Sequence, residues 1–197
     1  MGVAFSESEI ESIRAGLKAR ARECLTKSGV RKTSVADLVS AVGISAGALY
    51  RFYDSKEALF FEVFEDMDAE VARAGAAVLQ ERTDLSPRER VILALMTCFA
   101  KLEELGCMPV WEAESAYVLR KLPPEALADH QRSEGERIME LLSRHGIEST
   151  LPTADAAETL QRLLAAVSQP IAVDAERSRR VSGFMVRAVC EELFLDS

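Results

Sequence analysis

The stretch Thr33 to Lys56, TSVADLVSAVGISAGALYRFYDSK, holds two short helix signals on either side of one glycine. Thr33 and Ser34 open the first, with Asp37 three residues after Ser34 and Val35, Leu38, Val39 and Val42 as its apolar face. Gly43 permits the positive φ that a tight turn needs, and Ser45 then caps a second helix through Phe52. Two short helices about a glycine turn are the sequence form of a helix-turn-helix. Leu38, Ile44 and Leu49 are placed to pack inside the corner. Ala46, Gly47 and Ala48 put small residues at the start of the second helix, where a backbone can approach DNA closely in the major groove. Tyr50, Arg51 and Lys56 supply hydroxyl and cationic groups for phosphates.

Outward from the corner, helix signals recur in both directions. Ser6 with Glu9 has capping-box spacing, and Ile10, Ile13, Leu17, Ala21, Cys24 and Leu25 follow as one amphipathic stripe that Gly29 ends. After the corner, Asp54-Ser55-Lys56-Glu57 starts a long helix that fades between Gln80 and Asp84. Ser86-Pro87-Arg88-Glu89 is another capping box, and Gly106 stops its helix. Further helices are predicted from Met108 to Leu122, Glu125 to His145, Thr153 to Gln169 and Asp174 to Leu195. The sum is about nine helices and no strand, an all-α chain.

Charge divides along the chain more sharply than its total suggests. The 197 residues carry 24 Lys and Arg against 32 Asp and Glu, a net −8 that argues against a polyanionic partner. Between Ser12 and Lys56, however, nine basic residues stand against Glu23, Asp37 and Asp54, leaving +6 there and −14 elsewhere. The basic segment is the one that contains the corner.

The run Gly43-Ile44-Ser45-x-Gly47-x-Leu49-Tyr50-x-x-Tyr53-x-Ser55-Lys56-Glu57-x-Leu59, with one helix before it and a long helix after it, resembles the N-terminal domain of the TetR family of transcriptional regulators. The resemblance implies an N-terminal three-helix DNA-binding domain, residues 1–55, and a helical effector-binding and dimerisation domain, residues 56–197. It also implies that Tyr50 and Lys56 contact phosphate and that Gly47 lies against the duplex. The Thr33 and Ser34 pair would cap the second helix, with one hydroxyl reaching the backbone. By position, Ser45, Ala46, Ala48 and Arg51 are the base-reading candidates. Ala36 and Ala46 depart from the cationic or polar residues frequent in the family, Tyr53 from a usual Phe, and Val39 from a common Ala.

The acidic part carries two further clusters. Met96, Phe99, Met108, Trp111 and Tyr117 read either as core or, as the resemblance implies, as the lining of a small-molecule effector pocket. Leu160, Leu163, Leu164, Val167, Val181, Phe184, Met185 and Val189 form stripes on the last two helices, read either as intramolecular core or as a homodimer interface. A dimer would read a palindromic double-stranded operator. The expected protein is therefore a ligand-responsive regulator, with repression as the family's usual sign. A helical ligand-binding protein without DNA binding is the alternative, motivated by Ala36 and Ala46, and a small helical enzyme centred on Trp111 to Glu114 is a third.

Cysteine and histidine spacing adds no cofactor or metal. Cys24, Cys98, Cys107 and Cys190 are far apart, and His130 and His145 are isolated, which gives neither metal-ligand spacing nor a nucleophile motif. The polar N-terminus lacks a signal sequence, and the apolar run from Val91 to Met96 is too short to span a bilayer. A cytoplasmic protein with reduced thiols, no membrane partner and no catalysis is the expectation.

Overall fold

A computed structural model describes residues 5–106, 114, 116–122, 137–168 and 174–196. Its helices are α1 (Glu7–Lys27), α2 (Gly29–Lys32), α3 (Val35–Val39), α4 (Ala46–Leu49), α5 (Lys56–Glu81), α6 (Pro87–Glu104), α7 (Thr153–Ser168) and α8 (Ala175–Leu193). Residues 116–119 and 137–144 are also helical. Among the described residues there is no strand, only an isolated antiparallel bridge between Ser149 and Phe194. The chain is all-α, with the helix-turn-helix near its start.

Local chemistry sets the helix starts. Ser6 and Glu9 at α1, Ser34 and Asp37 at α3, and Ser86 and Glu89 at α6 each close a reciprocal capping box. Ser45 caps α4 by accepting from Ala48 N at 3.2 Å. Gly43 has φ +67°, the left-handed conformation that the turn between α3 and α4 requires.

Two details depart from the sequence reading. Gly29, with φ +76°, follows the end of α1 as a left-handed residue, but the chain then makes an extra short helix, α2, that the sequence reading did not include. The second helix of the corner ends at Leu49, not Phe52. Leu49 O accepts from both Phe52 N at 2.9 Å and Tyr53 N at 3.1 Å, which tightens the chain and turns both rings inward.

The chain forms two compact units. The first comprises Met1–Met67 with Val110–Pro123, and the second Asp68–Pro109 with Pro124–Ser197. This differs from a division at residue 55, since the first unit takes in the start of α5 and a later segment. Leu17, Leu38, Leu49, Leu59, Phe60 and Val118 are fully buried in it, while Ile44 is half-buried. A side chain at Gly16 would collide with Val42 Cγ1, so α1 can pass the end of the α3 turn only because it has no Cβ there.

The Tyr53 hydroxyl is buried and, among the described residues, makes no well-formed hydrogen bond, although the Glu62 carboxylate lies nearby. Burial first, then the neighbouring Glu62 carboxylate, push its pKa above the ordinary phenol range, so it stays neutral. Tyr53→Phe removes this buried hydroxyl and keeps the ring. It is expected to raise stability by up to about 1 kcal/mol, read as a higher denaturation midpoint with unchanged m value.

In the second unit, α6, α7, α8 and residues 137–147 enclose a core of Leu79, Val91, Phe99, Leu142, Leu160 and Phe194 among others. Arg88 donates twice to Phe194 O, at 3.1 and 2.9 Å, and pairs with Asp196 at 3.0 Å, which fixes the end of α8. Buried Arg90 donates to the carbonyls of Leu79 and His145, where α5 and the helix at 137–144 end.

This core corrects the reading of the last two helices. Leu160, Leu163 and Val167 are 1, 5 and 8% exposed and belong to the unit's own interior, not to a surface. Leu164, Met185 and Val189 pack partly against it. Only Val181 and Phe184, 44 and 69% exposed, are left presented outward. The stripe is wide because α7 and α8 pack on each other and α8 also packs on α6.

Candidate nucleic-acid interface

The face that α4 presents is small and polar. Ser45, Ala46, Gly47, Tyr50 and Arg51 are exposed, Ala48 is half-buried, and Leu49 is sealed beneath them. Gly47 has no positive φ, and a Cβ built on it would meet nothing within 4 Å. Among the other described glycines, all but the buried Gly183 have either a positive φ or a neighbour too close for a side chain. Folding therefore does not require glycine at position 47, and in a helix it is about 1 kcal/mol worse than alanine.

Thr33 and Lys56 do not sit as the sequence suggests. Thr33 is 2% exposed, and its hydroxyl donates to Gly29 O at 2.7 Å, so its side chain belongs to the interior of the corner. Ser34 alone is the N-cap of α3, with its hydroxyl 2.6 Å from Asp37 Oδ2. Bonds from the Ser34 side chain and then its backbone hold the Asp37 carboxyl below the usual carboxylate range. That contribution is complete above the ordinary Asp pKa and is lost as pH falls through the lowered one. Lys56, half-buried, donates from Nζ to Val30 O at 2.9 Å and Thr33 O at 2.8 Å. It caps the carbonyl end of α2.

The amide end of α2 has its own partner. Glu114 accepts from Val30 N at 3.1 Å and lies 3.7 Å from Arg31 Nε. The sequence offered this glutamate only as part of the Trp111 to Glu114 cluster. No local pattern announces a bond that spans 84 residues.

Most cations of the basic segment are engaged within the first unit. Lys18 pairs with Asp66 at 2.7 Å and Glu62 at 3.4 Å, and Arg20 reaches Glu23 and Asp37 O. Arg14 donates to Phe52 O at 3.2 Å, lies over the Tyr53 ring and stands 3.9 Å from Glu62. Lys27 is 3.9 Å from Glu23. Lys32 and Arg51 are exposed with no carboxylate at ion-pair distance among the described residues. Both flank the corner that α4 completes.

The described effector candidates are divided between the two units. Tyr117 belongs to the first unit, where its hydroxyl donates to Glu57 at 3.1 Å and its ring lies 5.4 Å below Arg31. Met96 and Phe99 belong to the second, Phe99 within its core and Met96 packed against it. Met108 and Trp111 lie outside the described residues. A groove of about 590 Å3 in the second unit has Met139, Ser143 and Leu151 among its described lining residues, and Met96, Phe99 and Tyr117 are not among them. Burial pushes the Cys98 thiol up to about 11 and that of Cys190 to about 12, so neither is a thiolate at neutral pH. No helix among the described residues is long and apolar enough to cross a membrane.

Residues 17–63 match the family described as bacterial regulatory proteins, tetR family. The chain is 32% identical over 99 residues to an uncharacterized HTH-type transcriptional regulator, YdgC, of Bacillus subtilis, covering 48% of this chain and 49% of that protein. It is also 32% identical over 85 residues to the nucleoid occlusion factor SlmA of Edwardsiella ictaluri, 43% of each. The chain thus spans about half the length of the curated relatives it matches.

The solved structures extend the likeness to nearly the whole length as a likeness of fold. A putative TetR-family regulator from Rhodococcus superposes with a TM-score of 0.67 at 16% identity, covering 93% of this chain and 99% of that one. A TetR/AcrR-family regulator from Thermobifida fusca gives 0.64 at 18% identity, with 91 and 97% covered. Residues 17–63 thus carry the signature of bacterial regulatory proteins of the tetR family, and the chain along nearly its whole length shares the fold of solved TetR-family regulators.

Proposed function

We propose that this regulator binds a palindromic operator as a homodimer, represses from it, and is released when a small apolar or amphipathic effector binds in the second unit. The observation that carries the DNA-binding reading is Gly47, a helical glycine with open space over it, flanked by the exposed Ser45, Ala46, Tyr50 and Arg51. Close approach of a duplex backbone gives an exposed helical glycine with open space over it an external reason to lack a side chain.

One α4 buries too little DNA for tight specific binding, so two copies about a dyad are required. The exposed Val181 and Phe184 support pairing through α8. An effector that favours the non-binding conformer lowers operator affinity by linkage. The site of action is the cytoplasm, and no catalytic step is assigned to the chain.

Duplexes from the flanks of its own gene provide the test, by anisotropy between 50 and 200 mM salt. Specific binding that weakens steeply with salt is expected, and no salt-sensitive binding to any duplex overturns the reading. Gly47→Ala sharpens the result. It is expected to stabilise the fold by about 0.5–1 kcal/mol and to cost about 1–3 kcal/mol of operator affinity by overpacking the contact. Unchanged affinity would remove Gly47 from the interface.

A further inference from the structure

Among the described residues of the first unit, three guanidiniums lie over aromatic rings, and they differ in what their N–H groups do. Arg14, 5.2 Å over Tyr53, spends its donors on Phe52 O and the nearby Glu62. Arg31, over Tyr117, has Glu114 within 3.7 Å. Arg51 lies 5.1 Å over Phe5, and among the described residues no oxygen meets its guanidinium. Phe5 is itself held, with its ring 5.8 Å from the buried Phe52 at a 42° tilt. It stands just ahead of the α1 cap and outside the residues that match the family.

A ring holds a guanidinium by its face. The planar fork of N–H donors, which lies in the guanidinium plane, stays unspent while the side chain loses its rotational freedom. That combination suits a bidentate acceptor approached edge-on, and the O6 and N7 atoms of guanine in the major groove present one.

We propose that Phe5 is a positioning residue for operator reading: it holds Arg51 by its face so that the in-plane donors meet a guanine edge. This rests on the DNA-binding function proposed above. The cation–π contact lowers the ordering cost of the base contact, which for one long side chain corresponds to roughly a 3–10-fold gain in affinity per half-site.

The experiment measures wild type, Phe5→Leu, Phe5→Tyr and Arg51→Ala on a footprinted operator fragment. Each is also measured on variants of that fragment in which single G·C pairs of the half-site are changed to A·T. Phe5→Leu keeps the apolar contact with Phe52 and removes the ring face, so it should fold with an unchanged melting temperature. It is expected to bind roughly 3–10-fold more weakly and to lose discrimination at the same base pair as Arg51→Ala. Phe5→Tyr should restore both, and Phe5→Leu combined with Arg51→Ala should bind no worse than Arg51→Ala alone.

Wild-type affinity and selectivity in Phe5→Leu would overturn the proposal and leave the DNA-binding reading intact. A uniform loss on every duplex, with the salt slope reduced by about one, would also overturn it, because Arg51 would then be a phosphate contact. Wild type binding no duplex removes both readings together.

Discussion

A Lys56→Met protein is expected to unfold at lower urea concentration, with about 2–4 kcal/mol less stability than wild type. Its ammonium donates to Val30 O and Thr33 O at 2.9 and 2.8 Å, and hydrogen bonds from a charged group contribute about 1.5–3 kcal/mol each. Methionine fills much of the same space but leaves both carbonyls without that donor. The four residues of α2 make a helix too short to sustain itself. It is held instead from its two ends, by Glu114 at the amides and Lys56 at the carbonyls, with the signs its dipole favours.

The family resemblance assigns Lys56 to a phosphate, and the two roles give different measurements. A phosphate contact would leave the urea midpoint in place and lower the salt slope of DNA binding by about one. A cap moves the midpoint whether or not DNA is present. An unchanged midpoint in Lys56→Met would return the residue to the surface role.

What the sequence made legible was local. The capping boxes at Ser6, Ser34 and Ser86, the turn at Gly43 and the cap at Ser45 each depend on residues three or four apart, and each formed where the spacing placed it. The contacts that reassigned candidate residues are distant. Lys56 reaches back 26 residues to Val30, and Glu114 reaches back 84 to the same residue. Neither leaves a periodic trace.

The charge asymmetry was real and overstated what it offered to DNA. The +6 segment holds cations that already serve Glu62, Asp66, Glu23 and backbone carbonyls inside the unit. Formal charge counts a guanidinium equally whether its donors are spent or open. Hydrophobic periodicity has the same blindness on α7 and α8, where it marks an apolar face without saying whether the chain or a second copy covers it.

That last ambiguity yields a pair of substitutions with opposite consequences. Phe184→Glu is expected to convert the proposed dimer to a monomer by light scattering, with little change in the stability of the fold. Phe184 is 69% exposed and stands three residues from the exposed Val181, on one face of α8. Burying the ring against a partner stabilises by about 1.5–3 kcal/mol, and two-fold symmetry uses every contact twice. A carboxylate in its place would have to shed water without a partner. With the two readers unlinked, operator affinity is expected to fall on the order of 100-fold or more.

Leu160→Ala tests the other half of the stripe. At 1% exposure the leucine lies in the core, and its loss is expected to cost about 2–5 kcal/mol of stability at any protein concentration. Concentration separates the two cases, since a dimer defect is relieved by mass action and a cavity is not. A Phe184→Glu protein that stays dimeric and binds operator normally would take the exposed face of α8 out of the assembly, and the pairing surface would then have to lie elsewhere on the second unit.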